Sequence, residues 1–331
     1  MRIGQEQEVR KPVLKPAALR SGDRVGIIAP AGPIERELLD AGCARLKELG
    51  YEPFYVESIL ERDTYFAGSV QRRVREFENM FERDDVRGII CARGGYGCNY
   101  LLPEIDIDLV RSHPKVFVGY SDVTTLLTYL HDATGLVTFH GPMVTKDFGF
   151  PDAVNVASWK AVVEGVERRG EAMGPSRFEH PQSGRLGSVS AVPLIRGYAQ
   201  GALYGGCLSM LAASLGTPYE VQTDGTILFI EDIAVRPYQV DRMLMQLKLA
   251  GKLDGAHGVV FGEMSGCEAE SDAGYLLQDV VSRVVGDLGI PVAFGFPSGH
   301  VKRKNVTVPI GVQAILKVQD EVWLGWEPAL S

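Results

Sequence analysis

Residues 115–127 read KVFVGYSDVTTLL, in which an apolar run leads through a Gly-Tyr-Ser-Asp turn into a segment that reads as helical to about His131. Similar apolar runs occur at residues 25–29 (VGIIA) before the turn PAGP, and at residues 86–92 (VRGIICA) before RGGYG. Strands that alternate with helices through short connections predict an α/β fold with parallel strands covered by helices on both faces. Such sheets bind ligands at the carboxyl ends of their strands, so we expect the three turns to meet at one site.

The length of 331 residues predicts two domains, because a single core rarely organises more than about 250–300 residues. We expect a polar lead-in at residues 1–22, a parallel N-terminal domain at 23–165, and a smaller, mixed α/β and strand-rich C-terminal domain at 201–331. Residues 166–200 are rich in Gly, Pro, Ser and charged residues. This composition indicates a linker or surface excursion between the domains.

Composition and charge exclude several classes of protein. The chain is 45% hydrophobic and 23% charged, which is typical of a globular protein. Its formal net charge of −8 lacks the basic excess of a nucleic-acid binder. No apolar run approaches the ~20 residues that span a bilayer, and the N-terminus lacks the apolar core of a secretory signal. We therefore expect a cytoplasmic protein with neither a nucleic-acid nor a membrane partner.

The cysteines indicate neither disulfides nor a metal site. There are five, and none forms a CxxC pair, which argues against a disulfide framework and against structural zinc. The chain also lacks the HExxH pattern of a catalytic zinc site. We expect free thiols, no metal and no cofactor.

Ser121 is the candidate nucleophile. It follows an apolar strand and precedes a helix, where its side chain is exposed and neighbouring backbone N–H groups can stabilise an oxyanion. The usual G-x-S-x-G motif is incomplete, because Val123 stands in place of the second glycine. The alternative is that Ser121 is an N-cap, a role that serines before helices often have.

A serine nucleophile needs a base and a residue that orients the base. Of the six histidines, only His140 and His300 are predicted at strand ends; the alternative for each is a structural histidine. Glu231 ends the apolar run TILFI, which predicts a carboxylate at the mouth of a sheet. Its alternative is an ion pair with Arg236 or Arg242. The order Ser, Glu, His along the chain is one that hydrolases use.

The segment RGGYG at residues 93–97 is glycine-rich but lacks the spacing of a dinucleotide-binding loop and the Lys-Ser/Thr of a P-loop. Glycines at these positions favour a loop whose backbone approaches a ligand closely.

An ordered series of segments between about Gly22 and Gly311 resembles the LD-carboxypeptidase family of serine peptidases. The segments are GDRVGIIAPAGPI, ARGGYG, VGYSDVTTLL, TFHGP, YGGCLSML with LGTPYE, ILFIEDI with YQVDRMLMQL, and GFPSGH followed by NVTVPIG. The resemblance implies a Rossmann-like N-terminal domain, a smaller C-terminal domain, a homodimer and a metal-independent reaction. The sequence departs from the family at Cys207, where asparagine is expected.

The same resemblance implies the roles of individual residues. The triad is Ser121 as nucleophile, His300 as base and Glu231 as the residue that orients the base. The backbone N–H groups of Asp122 and Gly95 are the nearest counterparts of the oxyanion hole.

Substrate contacts are expected from the glycine loop. Arg93 is the candidate for binding a carboxylate, with a surface arginine as the alternative, and Gly94 and Tyr96 are its neighbours in the loop.

The implied reaction removes the terminal D-alanine from a cytoplasmic muropeptide tetrapeptide during cell-wall recycling. One alternative is hydrolysis of a peptidyl-nucleotide, as in the microcin-immunity branch, which needs an aromatic residue to stack on the base. The segment 166–200 offers only Phe178 and Tyr198, which favours the cell-wall substrate. An alternative of another class is a non-catalytic binding module, against which the complete Ser, Glu, His set argues.

Overall fold

The computed structural model describes residues 11–165, 191–270, 272, 274–301 and 304–331. Its strands are β1 (Arg24–Ile28), β2 (Glu52–Phe54), β3 (Val86–Cys91), β4 (Val116–Gly119), β5 (Thr138–His140), β6 (Val192–Ile195), β7 (Gly197–Cys207), β8 (Thr226–Ile233), β9 (Gly258–Ser265), β10 (Val292–Phe296), β11 (Val308–Ile310), β12 (Gln313–Val318) and β13 (Val322–Trp326). Its α-helices are α1 (Arg36–Glu48), α2 (Val70–Glu82), α3 (Ile107–Ser112), α4 (Thr124–Thr134), α5 (Val156–Val163), α6 (Leu208–Ala213), α7 (Pro237–Leu249) and α8 (Leu277–Val285).

The first sheet has the strand order β11-β5-β4-β3-β1-β2. Strands β1 to β5 are mutually parallel, and β11 adds to β5 as an antiparallel edge strand. Its central strands are apolar and buried, as expected of parallel strands with both faces covered. The fold is therefore the predicted parallel α/β arrangement, with one strand supplied by the C-terminal third of the chain.

The second sheet has the order β13-β12-β7-β8-β9-β10-β6. Strands β7 to β10 run parallel, whereas β6, β12 and β13 pair antiparallel to their neighbours. Helices α6, α7 and α8 pack with this sheet, and their apolar faces join one buried cluster with it. This is the mixed, strand-rich C-terminal half that the sequence predicts.

Local residues mark the ends of two helices. The Ser69 side chain accepts a hydrogen bond from the Arg72 N–H at 3.2 Å and so caps α2. At the C-terminal end of α4, Gly135 adopts a left-handed conformation with φ of 80°, which glycine reaches without a steric cost.

Two features differ from the sequence-based boundaries. Residues 191–200, predicted to belong to a linker, include β6 and the start of β7, because Val192–Ile195 pairs with β10 at the edge of the second sheet. Residues 166–190 of that segment, with Phe178, lie outside the described residues. The predicted boundary between the domains is also crossed by β11, which completes the first sheet.

The sequence did not predict three short elements, which are α3, α5 and a π-helical turn at Val144–Phe148. The segment VASWKAVV of α5 is apolar on most of its surface, so it shows no clear helical periodicity. In the described part of the chain, no helix is long and apolar enough to cross a membrane.

Candidate active site

Ser121 lies at a sharp turn between β4 and α4. Its φ is +63°, in the left-handed region that non-glycine residues adopt only under strain. Gly119 permits the turn, because a Cβ there would come within 2.6 Å of Val123 Cγ1. In the described structure the N-cap of α4 is Val123, and no side chain makes a capping hydrogen bond there. The Ser121 side chain therefore does not cap α4.

The glycine loop after β3 lies directly against this turn. A Cβ on Gly94 would come within 2.7 Å of Ser121 Cβ and 3.3 Å of the Asp122 backbone nitrogen. The Asp122 side chain in turn accepts a hydrogen bond from the Cys98 N–H at 2.8 Å. The loop and the serine turn are therefore packed together, with Gly94 against Ser121 and the Asp122 backbone.

Glu231, near the end of β8, and His300, in the loop after β10, form a buried pair. Glu231 Oε2 lies 2.7 Å from His300 Nδ1 and accepts the His300 backbone N–H at 3.0 Å. Gly299 makes this approach possible with its φ of +103°, because a Cβ there would lie 2.4 Å from the same oxygen. The structure therefore brings the predicted residues Glu231 and His300 into direct contact. The partners of Glu231 are histidines, so the alternative of an ion pair with Arg236 or Arg242 does not hold.

The electrostatics of this pair favour a charged carboxylate. Burial alone would raise the pKa of Glu231, but the hydrogen bonds and charge of His300, with a hydrogen bond from His140, hold that pKa below its ordinary value. Burial acts to lower the pKa of His300, and the charge and hydrogen bond of Glu231 outweigh it, so that the pKa lies above the ordinary 6.5. His300 is therefore a stronger base than a free histidine.

The turn that carries Ser121 contacts His300 through the neighbouring Tyr120. The Tyr120 and His300 rings meet edge to face, with centroids 5.0 Å apart, and Ser121 is the next residue. Among the described residues no hydrogen bond joins the Ser121 hydroxyl to His300. Catalytic hydrogen bonds are often long without substrate and tighten in the substrate complex.

Two further buried groups surround the pair. His140, one of the two strand-end histidines considered in the sequence, lies with Nε2 3.4 Å from Glu231 Oε1. Asp147, which no sequence signal indicated, comes from the π-helical turn and accepts hydrogen bonds from the Tyr120 hydroxyl and from Asn305 Nδ2, both at 3.4 Å. Burial raises the pKa of Asp147 to about 6.

An open cleft of about 520 Å³ lies on the outer side of the glycine loop. It is lined by Gly32, Pro33, Tyr65, Arg93, Gly95 and Tyr96. Arg93 is exposed there and Nη1 donates to the Pro33 carbonyl at 3.1 Å. Tyr65 and Tyr96 expose 59% and 42% of their surface, so the cleft has a cation and two aromatic rings beside the nucleophile turn.

Metal ligands do not cluster in the described residues, where no group of three or more His, Cys, Asp or Glu could hold an ion. All five cysteines are buried free thiols. Burial raises the pKa of Cys207 well above the ordinary value, so this thiol is kept neutral. Its backbone N–H donates to Thr124 Oγ1 at 3.1 Å, which joins β7 to the helix that follows the nucleophile.

A serine in a strained strand-to-helix turn, beside a histidine held by a buried glutamate, is the arrangement of a serine hydrolase on a two-sheet α/β fold. Residues 25–141 match the LD-carboxypeptidase N-terminal domain, and residues 200–316 match the LD-carboxypeptidase C-terminal domain. The chain belongs to the LD-carboxypeptidase family of serine peptidases, which confirms the resemblance seen in the sequence.

Individual relatives agree with this assignment. The chain is 38% identical over 310 residues to a probable murein peptide carboxypeptidase of Bacillus subtilis (strain 168), covering 93% of this chain and 92% of the relative. The crystal structure of muramoyltetrapeptide carboxypeptidase from Oxalobacter formigenes is 31% identical with a TM-score of 0.79, covering 93% of this chain and 100% of that one.

A third similar protein is the microcin C7 self-immunity protein MccF in complex with aspartyl sulfamoyl adenosine. It is 25% identical with a TM-score of 0.84, covering 96% of this chain and 100% of that one. Together the family and the carboxypeptidase relatives establish a serine-type LD-carboxypeptidase hydrolase, and the alternative of a non-catalytic module is set aside.

Proposed function

We propose that the protein removes the terminal D-alanine from cytoplasmic muropeptide tetrapeptides during cell-wall recycling. The observation that carries the proposal is the buried Glu231–His300 pair beside the strained turn of Ser121. The carboxypeptidase relatives support the substrate class.

In the proposed reaction, the Ser121 hydroxyl attacks the carbonyl carbon of the bond between an L-configured centre and D-alanine. His300 takes the hydroxyl proton and later passes it to the leaving amine. Since His300 Nδ1 faces Glu231 at 2.7 Å, Nε2 is the nitrogen available to the serine. Glu231 fixes that tautomer and stabilises the imidazolium that forms.

The oxyanion would be bound by the backbone N–H groups of Asp122 and Gly95. The close contact of Gly94 with Ser121 supports this role, because it brings the loop backbone to the nucleophile with no side chain between them. Donors held before the reaction stabilise the developing charge without reorganisation.

The substrate would lie in the cleft beside the glycine loop. Arg93 would bind the free carboxylate of D-alanine, since a guanidinium matches a carboxylate in geometry and charge. Gly94 and Tyr96 would contact the peptide next to the scissile bond. The cleft volume of about 520 Å³ is within the ordinary range of ligand sites.

The proposal is tested by D-alanine release from a purified muropeptide tetrapeptide, with wild type and with Ser121→Ala. Release by wild type alone supports both the reaction and the nucleophile. Equal release by both contradicts the role of Ser121. An identical tetrapeptide with an L-alanine terminus is the matched substrate control, and its equally fast hydrolysis would contradict the stereochemical assignment.

Sedimentation of the same sample at several concentrations tests the proposed homodimer, which a monomer at all concentrations would contradict.

The second candidate is hydrolysis of a peptidyl-nucleotide amide. It is favoured by the aromatic rings at the cleft, where Tyr65 and Tyr96 approach with centroids 6.0 Å apart and could stack on a base. Of the two aromatic residues of the segment 166–200, Tyr198 lies on β7 and Phe178 lies outside the described residues. Incubation with aspartyl sulfamoyl adenosine tests this candidate: release of aspartate without D-alanine release from muropeptides would favour it.

A further inference from the structure

Arg73 is a buried cation that no step of the proposed reaction uses. It lies on α2, is 1% exposed, and donates from Nη1 to the Pro30 carbonyl at 2.7 Å and to the Gly97 carbonyl at 2.8 Å. An Nη nitrogen carries two hydrogens, so each carbonyl takes one. Within the described part of the chain, Nε and Nη2 have no hydrogen-bond partner. The hydrogen bonds of this side chain therefore go to two backbone carbonyls.

Those two carbonyls belong to the two loops that line the cleft. Pro30 lies in the PAGP turn after β1, and Gly97 ends the glycine loop after β3. The loops also contact each other directly, since the Gly32 N–H donates to the Gly94 carbonyl at 3.1 Å. Helix α2 packs on β1 and β3. Arg73 therefore ties both loops to a helix that is itself fixed on the first sheet.

The peptide group that follows Gly97 is held from both sides. Its carbonyl accepts from Arg73, and its N–H, which belongs to Cys98, donates to the Asp122 carboxylate at 2.8 Å. A planar trans peptide directs its carbonyl and its N–H to opposite sides. Hydrogen bonds to charged groups are stronger than those between neutral groups. One peptide group of the loop is therefore held between a buried guanidinium and a buried carboxyl group.

The packing around Arg73 leaves the glycine loop little freedom to move. Gly97 has a φ of +129°, and a Cβ there would lie 2.8 Å from Arg73 Nη1 and 2.7 Å from Phe66 Cδ1. The guanidinium lies 5.0 Å from the centre of the Phe66 ring, a cation–π distance. Phe66 in turn contacts Tyr96 of the glycine loop, with ring centroids 5.8 Å apart. Arg73 thus contacts the loop through its backbone and through an aromatic side chain.

We propose that Arg73 is a positioning residue for the oxyanion hole. Its guanidinium holds the Gly97 carbonyl, and this keeps the Gly95 N–H, in the same loop, in place beside Ser121. The inference rests on the proposed function, in which the N–H groups of Asp122 and Gly95 bind the oxyanion. Such donors stabilise the transition state because they are held in position before the reaction.

The first test needs no substrate. Arg73→Gln loses the charged donor, so amide hydrogen exchange at Cys98 should be about tenfold faster than in wild type, or more, under native conditions. Amides of β8, in the second sheet, should exchange as in wild type. Arg73→Lys keeps the charge, but its nitrogen lies closer to the backbone. It should protect Cys98 to an intermediate degree, and it replaces Arg73→Gln in the test if that variant does not fold. Unchanged exchange at Cys98 would overturn the proposal.

The matched control is Lys115→Gln. Lys115 is also a buried cation, 7% exposed, and its Nζ donates to two backbone carbonyls, those of Met80 at 3.0 Å and of Arg83. Both lie at the opposite end of α2 from Arg73. The control therefore removes a comparable pair of hydrogen bonds without contact to either loop, and exchange at Cys98 should stay as in wild type. Equal acceleration in both variants would overturn the specific role of Arg73.

The second test is D-alanine release by the same variants. In Arg73→Gln, kcat should fall about tenfold to a hundredfold with KM little changed, because the oxyanion hole acts on the transition state more than on bound substrate. Arg73→Lys should recover part of kcat, and Lys115→Gln should retain it. A rise in KM alone, or an equal loss in Lys115→Gln, would contradict the positioning role. If wild type itself releases no D-alanine, the proposed function fails, whereas exchange at Cys98 still decides whether Arg73 holds the loop.

Discussion

Gly94 lies against Ser121 so closely that a Cβ on the glycine would come within 2.8 Å of the serine Oγ. The loop RGGYG therefore needs glycine at position 94 because of its contact with Ser121, and a bound phosphate is not required to explain it. Position 94 therefore has no room for a side chain beside the hydroxyl. The second loop glycine is equally constrained, since Gly95 adopts a φ of +120° and packs on the backbone of Gly32.

Replacing Gly94 should therefore damage catalysis more than folding. In Gly94→Ala the new methyl group displaces the Ser121 side chain or the loop, and a displacement of about 1 Å at a reacting group lowers the rate by about 10²-fold. Measured kcat/KM should fall by at least that factor while the urea midpoint of unfolding changes little. Gly197→Ala is the matched control, because its nearest neighbour atom would lie 3.3 Å from the new Cβ. Equal loss of activity in both would contradict the argument.

Much of the fold was predictable because its elements carry strong local signals. Strands such as β4 and β8 are continuous apolar runs that end in polar turns, and α2 begins at a serine cap. The strand β6 was not predictable, since it is short, contains Pro193 and pairs through the distant β10. Likewise, nothing local to residues 308–310 indicates that they pair with β5 of the first sheet.

The pH dependence of kcat/KM should reflect the raised pKa of His300. Burial opposes the charged ring, but Glu231 outweighs it, so the pKa lies above 6.5. Only the neutral ring accepts the serine proton, so activity rises with pH and its acid limb should have a midpoint above 6.5. A pH series of kcat/KM measures it, and a midpoint at or below 6.5 would count against this account.

Glu231→Gln should shift the midpoint of the acid limb of kcat/KM to lower pH than in wild type. The amide has no charge to stabilise the imidazolium, so the midpoint shifts to lower pH. The rate at the optimum falls about 10²–10⁴-fold, since the tautomer is no longer fixed. Thermal unfolding of the variant provides the control for correct folding. A limb that stays in place in a folded variant would mean that Glu231 does not set the basicity of His300.

Asp122 should matter through its side chain as well as its backbone. Its carboxylate binds the Cys98 N–H at 2.8 Å and is 3% exposed. Asp122→Ala leaves that donor unpaired, which costs about 1–3 kcal/mol of unfolding free energy, and frees the glycine loop from the serine turn. We expect kcat to fall about tenfold or more, and Asp122→Asn, which retains an acceptor, to recover part of it.

The control for this prediction is Asp106→Ala. Asp106 also accepts backbone N–H groups, those of Asp108 and Leu109 at 2.9 Å and 3.1 Å, but it caps α3 away from the site. Its loss should cost about 1 kcal/mol of stability with no change in kcat. If kcat fell as much in Asp106→Ala as in Asp122→Ala, the effect of Asp122→Ala would be explained by a general loss of stability.

Some active-site residues could be predicted from local sequence patterns, and others could not. The positions of Ser121, Glu231 and His300 follow from strand ends, which the sequence marks. Asp147 does not, because its approach to Tyr120 and Asn305 depends on a π-helical turn that packs beneath the site. The role of His140 was open for the same reason, since its partners Glu231 and Ser298 come from the other sheet.

The buried carboxylate of Glu76 should make stability depend on pH. It accepts the Ala29 N–H at 2.9 Å and pairs with Arg72 at 3.0 Å, but burial outweighs these contacts and raises its pKa to about 7 from 4.5. The folded state therefore holds a proton that the unfolded state has released between these two values. Its stabilising effect is complete below about pH 4.5 and is lost as pH rises through about 7.

Glu76→Gln removes this titration while keeping the shape of the side chain. The difference in unfolding free energy between wild type and variant should be larger at pH 5 than at pH 7.5, by about 3 kcal/mol at most. Urea unfolding at both pH values measures it, and titrations elsewhere cancel in the difference. Glu82→Gln on the exposed end of the same helix should show the same difference at both pH values. A Glu76→Gln difference that grows with pH would mean that the pairing with Arg72, and not burial, controls the ionisation of Glu76.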